Sequence, residues 1–156
     1  MKPKSTPSPW PSRILVPYDF SDCSMAALAR AAELAGLTGS TLVLLHVIES
    51  VTQGLLIEQK ISRQTQGKWR ARVTRELSAL ASARADAGRF SRPLVKAGKP
   101  WEVIVATASR VSADLIVLGT HGHTGLKHAV LGSVAERVVR HATCPVLTVR
   151  SGPSCC

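Results

Sequence analysis

The sequence predicts an α/β fold: one open, five-stranded parallel sheet with helices on both faces. Two observations carry that prediction. Short apolar runs alternate with stretches of helical periodicity throughout residues 13–150, and such alternation argues for strands joined by helical crossovers. Two of the runs, Thr41–Ile48 and Leu115–Leu118, are apolar almost without a break. That suits strands covered on both sides rather than strands with one wet face.

The elements follow in order. Arg13–Pro17 (RILVP) is the first strand, closed by its proline. Ser21 can accept from first-turn amides and predicts a helix to about Leu34, with Met25, Leu28, Ala29 and Ala32 as its apolar face. Gly36 and Gly39 end that helix, and Thr41–Ile48 is the second strand. Glu49 to Gly67 reads as polar and irregular, with room for a short helix around 55–61. A long amphipathic helix follows, its stripe formed by Trp69, Val73, Leu77, Leu80 and Ala81, with Arg70, Arg72, Arg75 and Arg84 largely off it. Arg92–Ala97 is the third strand. Gly98-Lys99-Pro100 then turns into a helix that has Pro100 near its first position and Val103, Ile104 and Thr107 facing inward. Asp114–Gly119 is the fourth strand and Val146–Val149 the fifth. Between them a helix runs from Ser133 to about His141, with Val134, Val138 and Val139 on its apolar side.

A chain of 156 residues fits one domain. Residues 13–150 are expected to form it, with a Pro/Ser-rich tail at 1–12 and a loose end at 151–156. Apolar residues make up 45% but aromatics only 4%, so the core must be aliphatic. No apolar run approaches the roughly 18 residues that cross a bilayer, and the start MKPKSTPSPWPS has no apolar segment of a secretory signal. A soluble, cytoplasmic protein without a membrane partner is expected. The four cysteines form no CxxC pair, which argues against a disulfide framework, and Cys23 reads as a small buried residue. The net charge is +10, and nine basic residues lie between Lys60 and Arg92 against Glu76 and Asp86 alone. That region reads as a solvated helix face. A nucleic-acid partner is not expected, because no aromatic residue reads as interleaved with the cations.

The chemistry concentrates in GTHGHTGLKHAVLGS, residues 119–133. The loop leaves the carboxyl end of the fourth strand, where open α/β sheets hold ligands. Its spacing is G-x2-G-x9-G-S, through Gly119, Gly122, Gly132 and Ser133. Glycines at 119 and 122 permit tight turning and close backbone approach. Gly132-Ser133 opens a helix, so the amides of Ser133 and Val134 and the Ser133 hydroxyl can bind an anion. Neither the P-loop spacing nor GxGxxG occurs in the chain. Asp19, beyond the first strand, suits a ribose hydroxyl or a metal, and its competing role is to cap the first helix.

This loop resembles the nucleotide loop of the universal stress protein family, in its ATP-binding branch. The resemblance spans nearly all of 13–150, through "ILVPYDFSDCS", "TLVLLHVIE", "GKPWEVIVATASRVSADLIVLGTHG" and "CPVLTVR". It implies an adenine nucleotide α-hydrolase-like, Rossmann-like sheet. It further implies ATP, with Mg2+, as the ligand. Gly119, Gly122, Gly132, Ser133 and Val134 would surround the ribose and phosphates. Pro17, Asp19 and Val47 would lie on the adenosine side, the Val47 main chain reading the adenine edge. The resemblance also implies that the fifth strand is outermost. Uncharged between His141 and Arg150, that strand would join two copies through Val146, Leu147 and Val149.

His121, His123 and His128 invite a metal reading, but the spacing lacks the paired ligands of zinc sites, so they read as solvent-facing. His46 reads as a satisfied core histidine, and Lys127 as either a phosphate ligand or one more solvated lysine. No catalytic residue is assigned. A stress-response regulatory module that holds ATP is favoured over a slow ATP hydrolase, because turnover would need a positioned base and a cationic clamp that the loop does not clearly supply.

Overall fold

A computed structural model describes residues 10–49, 63–84, 89–121 and 131–150. Its sheet is parallel throughout. Strands β1 (Arg13–Pro17), β2 (Thr41–Glu49), β3 (Arg89–Phe90), β4 (Leu94–Gly98), β5 (Leu115–Gly119) and β6 (Val146–Val149) alternate with helices α1 (Asp22–Thr38), α2 (Arg63–Ser82), α3 (Pro100–Arg110) and α4 (Ser133–His141).

The sheet order is β3-β2-β1-β5-β6, with β4 also paired to β2. The third strand predicted at 92–97 is therefore two short strands in line. Arg89 and Phe90 pair with Thr41 and Leu42, and Leu94 to Gly98 pair with Leu45 to Glu49. Between them stands Pro93, which has no N–H to give to a ladder. Five lateral positions thus hold six strands. Asp114, expected in the fourth strand, lies just before β5. Its Oδ2 accepts from the Ser12 and Arg13 amides, both at 2.9 Å, and pins the start of β1 beside β5.

Because side chains alternate along a strand, each central strand feeds two cores. Ile14, Val16, Leu42 and Leu44 meet Ala27, Leu28 and Ala31 of α1 and Val73 and Leu77 of α2. Leu15, Val43, Leu45 and Ile116 meet Ile104 and Ala108 of α3 and Ala135 and Val138 of α4. Helices accordingly cover both faces, as the unbroken apolar runs require.

Helix ends follow local chemistry. The Ser21 side chain caps α1 by accepting from the Ser24 amide at 3.2 Å. At the other end Gly39, at φ 71, donates its N–H to Ala35 O at 2.8 Å. Gly36 lies within the helix, so α1 runs four residues beyond the expected Leu34. Its inward face matches the prediction at Leu28 and Ala32 and differs elsewhere. Ala27, Ala31 and Ala35 are buried, whereas Met25 and Ala29 are exposed. In an alanine-rich helix several faces are apolar in sequence, and the sheet selects one. Similarly, Trp69 and Val139 are 41% and 47% exposed, while Ala135 takes an inward position on α4.

Candidate functional site

From β1 the chain crosses to β2 and the β3–β4 edge. It then returns to the other side of β1 to lay down β5 and β6. The strand order therefore reverses between β1 and β5, and a crevice opens at their carboxyl ends. A cavity of about 390 Å3 lies there, within the range of roughly 300–1,000 Å3 usual for small-molecule sites.

Four segments build its walls. Pro17 ends β1 and Tyr18 and Asp19 follow it, Leu45 to Val47 and Glu49 come from β2, and Leu118 to His121 end β5. Gly132 to Ala135 open α4, with Pro100 and Ile104 of α3 and Ser24 of α1 completing the lining. The Gly132 amide donates to Thr120 O at 2.7 Å, and the Thr120 amide donates to Val149 O at 3.0 Å. These two bonds tie the start of α4 to the exits of β5 and β6.

Gly132 is the N-cap of α4 and provides no side-chain acceptor. The amides of the first turn have no intrahelical acceptors, and the helix dipole adds positive potential at that end. The arrangement can bind an anion. Gly132 has φ −68, which any residue adopts. What presses on a larger residue is proximity, since a Cβ would stand 3.0 Å from Thr120 O and the neighbour would have to give by a few tenths of an ångström.

Gly119 answers a different constraint from the ligand approach expected of it. A Cβ there would lie 2.8 Å from the carbonyl carbon and Cβ of Cys23, so the missing side chain lets the first turn of α1 dock on β5. Cys23 is itself 2% exposed, as a small buried residue should be.

Asp19 does not itself cap α1, since the cap is Ser21, but it buttresses that cap from the cavity wall. It lines the cavity, and its Oδ1 accepts from the Ser21 amide at 3.0 Å and from the Ser21 hydroxyl at 2.5 Å. The turn that presents it passes through Phe20 at φ 67. Of the residues expected at the site, Pro17, Asp19, Val47, Gly119, Gly132, Ser133 and Val134 line this one cavity. Gly122, Lys127, His123 and His128 lie outside the described residues.

Several lining residues carried no site signal in sequence. His46 is 9% exposed and bonds Tyr18 O through Nδ1 at 2.8 Å, as a satisfied core histidine does, yet it also lines the cavity. His121, expected to face solvent, is a half-buried lining residue within 3.1 Å of the Thr120 hydroxyl. Burial raises the Tyr18 phenol above its ordinary range, Arg84 partly opposing and Asp19 adding to the rise. Among the described residues no group of three or more His, Cys, Asp or Glu could hold a metal. No helix among them is long and apolar enough to cross a membrane.

Comparisons with known proteins agree with the geometry. The profile of the universal stress protein family matches residues 11–150. A universal stress protein of Thermus aquaticus is 36% identical over 141 residues, covering 88% of this chain and 97% of the relative. One from Methanocaldococcus jannaschii is 30% identical over 152 residues, covering 88% and 94%. Among solved structures, universal stress protein UspA from Lactobacillus plantarum superposes with a TM-score of 0.78 at 26% identity, covering 89% and 97%. A universal stress protein in complex with cAMP gives 0.64 at 26% identity, covering 89% and 96%. The Archaeoglobus fulgidus protein in complex with dAMP gives 0.61 at 25% identity, covering 88% and 96%. With the profile spanning all six strands and both helical layers, this chain belongs to the universal stress protein family.

Proposed function

We propose that the cavity holds ATP with Mg2+ and that the protein is a cytoplasmic, nucleotide-dependent regulatory module of the stress response. The observation that supports this most is the start of α4, capped by a glycine without a side chain and facing the crevice at the strand-order reversal. Phosphates would accept from the Ser133 and Val134 amides and the Ser133 hydroxyl, with Gly122 and Gly132 keeping the backbone close and Gly119 seating α1 beside them. Pro17, Asp19 and Val47 would take the adenosine. The cAMP and dAMP held by relatives are adenine nucleotides of the same chemical class. Mg2+ would enter with the triphosphate, its ligands drawn largely from phosphate oxygens and water.

A holder is preferred to a hydrolase. Efficient phosphoryl transfer needs a cationic clamp on the γ-phosphate, and Lys127, the one lysine of the loop, reads equally as a solvated lysine. The protein is further proposed to work as a homodimer joined along β6.

Mass spectrometry of nucleotide released from the purified protein, followed by calorimetry with ATP, tests the reading. Adenine nucleotide in the released fraction and saturable ATP binding are expected. A folded protein that neither carries nor binds adenine nucleotide would overturn the proposal. Gly132→Ala should weaken ATP binding while retaining the helical circular dichroism. Gly132→Val is the poorer probe, because it adds two methyls to the Cβ that in either variant stands 3.0 Å from Thr120 O.

A further inference from the structure

In sequence Trp69 falls on the apolar stripe of α2, which leaves the surrounding cations without an aromatic neighbour. In the fold the residue is 41% exposed. Around it on the same two turns are Lys68, Arg70, Arg72 and Arg75, all exposed. Arg72 is held by Glu76 at 2.9 Å. Lys68, Arg70 and Arg75 have no acidic partner among the described residues. The indole is braced from behind, its centroid 5.8 Å from the His46 ring, which in turn lies 5.3 Å from the 39% exposed Phe20.

We infer that this side of α2 binds single-stranded nucleic acid, one unstacked base lying on Trp69 while the phosphates run along Lys68 and Arg75, which lie seven residues apart on one stripe of the helix. Charge complementarity supplies the attraction, and a net charge of +10 reinforces it over the whole surface. The ring selects the strand type. An exposed aromatic face stacks on a base that is free of a duplex, and such stacking tolerates any sequence. An anionic membrane is the weaker fit, because α2 has already buried Val73, Leu77 and Ala81 against the sheet and has no apolar stripe left to insert. The inference is independent of the nucleotide proposed for the cavity.

Fluorescence anisotropy with a labelled oligothymidine and the full chain tests it. Binding should weaken between about 50 and 200 mM salt, with a log–log slope of about −1.4 if two phosphates are neutralised. Stacking should quench tryptophan emission, and the quench should vanish in Trp69→Ala together with roughly tenfold in affinity. Trp69→Phe should keep most of that affinity, and Arg75→Gln should lower the slope by about 0.7. Urea midpoints close to the wild type keep the variants interpretable. The inference fails if no binding is seen at low salt, or if folded Trp69→Ala binds as well as the parent. It fails equally if duplex DNA binds as tightly as the single strand, or if saturating ATP displaces the oligonucleotide and so marks the cavity as its site. A tryptophan blue shift on phosphatidylserine vesicles without oligonucleotide binding would assign the face to membranes instead.

Discussion

Gly119 stands where the exit of β5 touches the first turn of α1. Any Cβ there meets the Cys23 main chain at 2.8–2.9 Å, and main chain cannot rotate out of the way as a side-chain end can. Gly119→Ala should therefore destabilise the protein by about 2 kcal/mol, the usual scale of overpacking. Unfolding in urea measures it, and unchanged stability would show that α1 shifts freely. Tyr18 offers a second check at this scale. It is 4% exposed and its phenol is raised from the ordinary 10.0, chiefly by burial. The folded state thus favours the neutral form, and this contribution is fully present below pH 10. It is lost as pH rises through the folded value, where the unfolded chain has already released its proton. Tyr18→Phe should flatten the fall in stability above pH 10. An identical alkaline limb in the variant would remove Tyr18 as its cause.

Among the elements, β6 has the most open chemistry. It is a sheet edge, paired on one side to β5 through Ile116 to Gly119, and it carries no charged residue from Val146 to Val149. Leu147 is 42% exposed there, and Val139 on the neighbouring α4 is 47% exposed. Monomer edges are ordinarily protected by lysines or bulges. Antiparallel pairing of two β6 strands about a two-fold axis would satisfy the open amides and cover both side chains. Light scattering should give about twice the chain mass, and Leu147→Lys should reduce it to that of one chain. A wild-type monomer at micromolar concentration contradicts the dimer. The opposite edge is treated differently. Lys96 of β4 reaches back to donate to the buried Thr107 hydroxyl at 2.8 Å, and burial, with Arg110 nearby, lowers its pKa. An inward-turned lysine is a recognised guard against edge pairing.

For the whole molecule, the proposed ligand should act as a brace. The cavity is walled by segments from β1, β2, β5 and three helices, so an occupant couples both halves of the sheet. ATP at about 100 times its dissociation constant should add about 2.7 kcal/mol of stability, visible as a higher melting temperature that tracks ligand concentration. A melting point indifferent to ATP would mean that the nucleotide does not select the folded state. Hydrolysis should remain far below about 1 per second. Steady turnover above that rate, lost in Ser133→Ala or Asp19→Ala, would move the protein from holder to enzyme.

The sequence by itself determined the parallel α/β architecture, because unbroken aliphatic strands such as Thr41–Ile48 are stable only when helices cover both faces. It also located the α4 start at Ser133 and the caps at Ser21 and Gly39, since those depend on chemistry within a few residues. Tertiary structure alone decided which of the apolar faces of alanine-rich α1 is buried, and that Trp69 leaves the stripe of α2 that Val73, Leu77 and Ala81 bury. It decided that the third strand is broken at Pro93. It also brought His46, His121, Tyr18 and Pro100 to the cavity wall, although they lie on four different segments. Gly119 shows the reason most plainly. Local spacing marks it as a glycine that something must approach, and only the packed fold reveals that the approaching group is the Cys23 backbone.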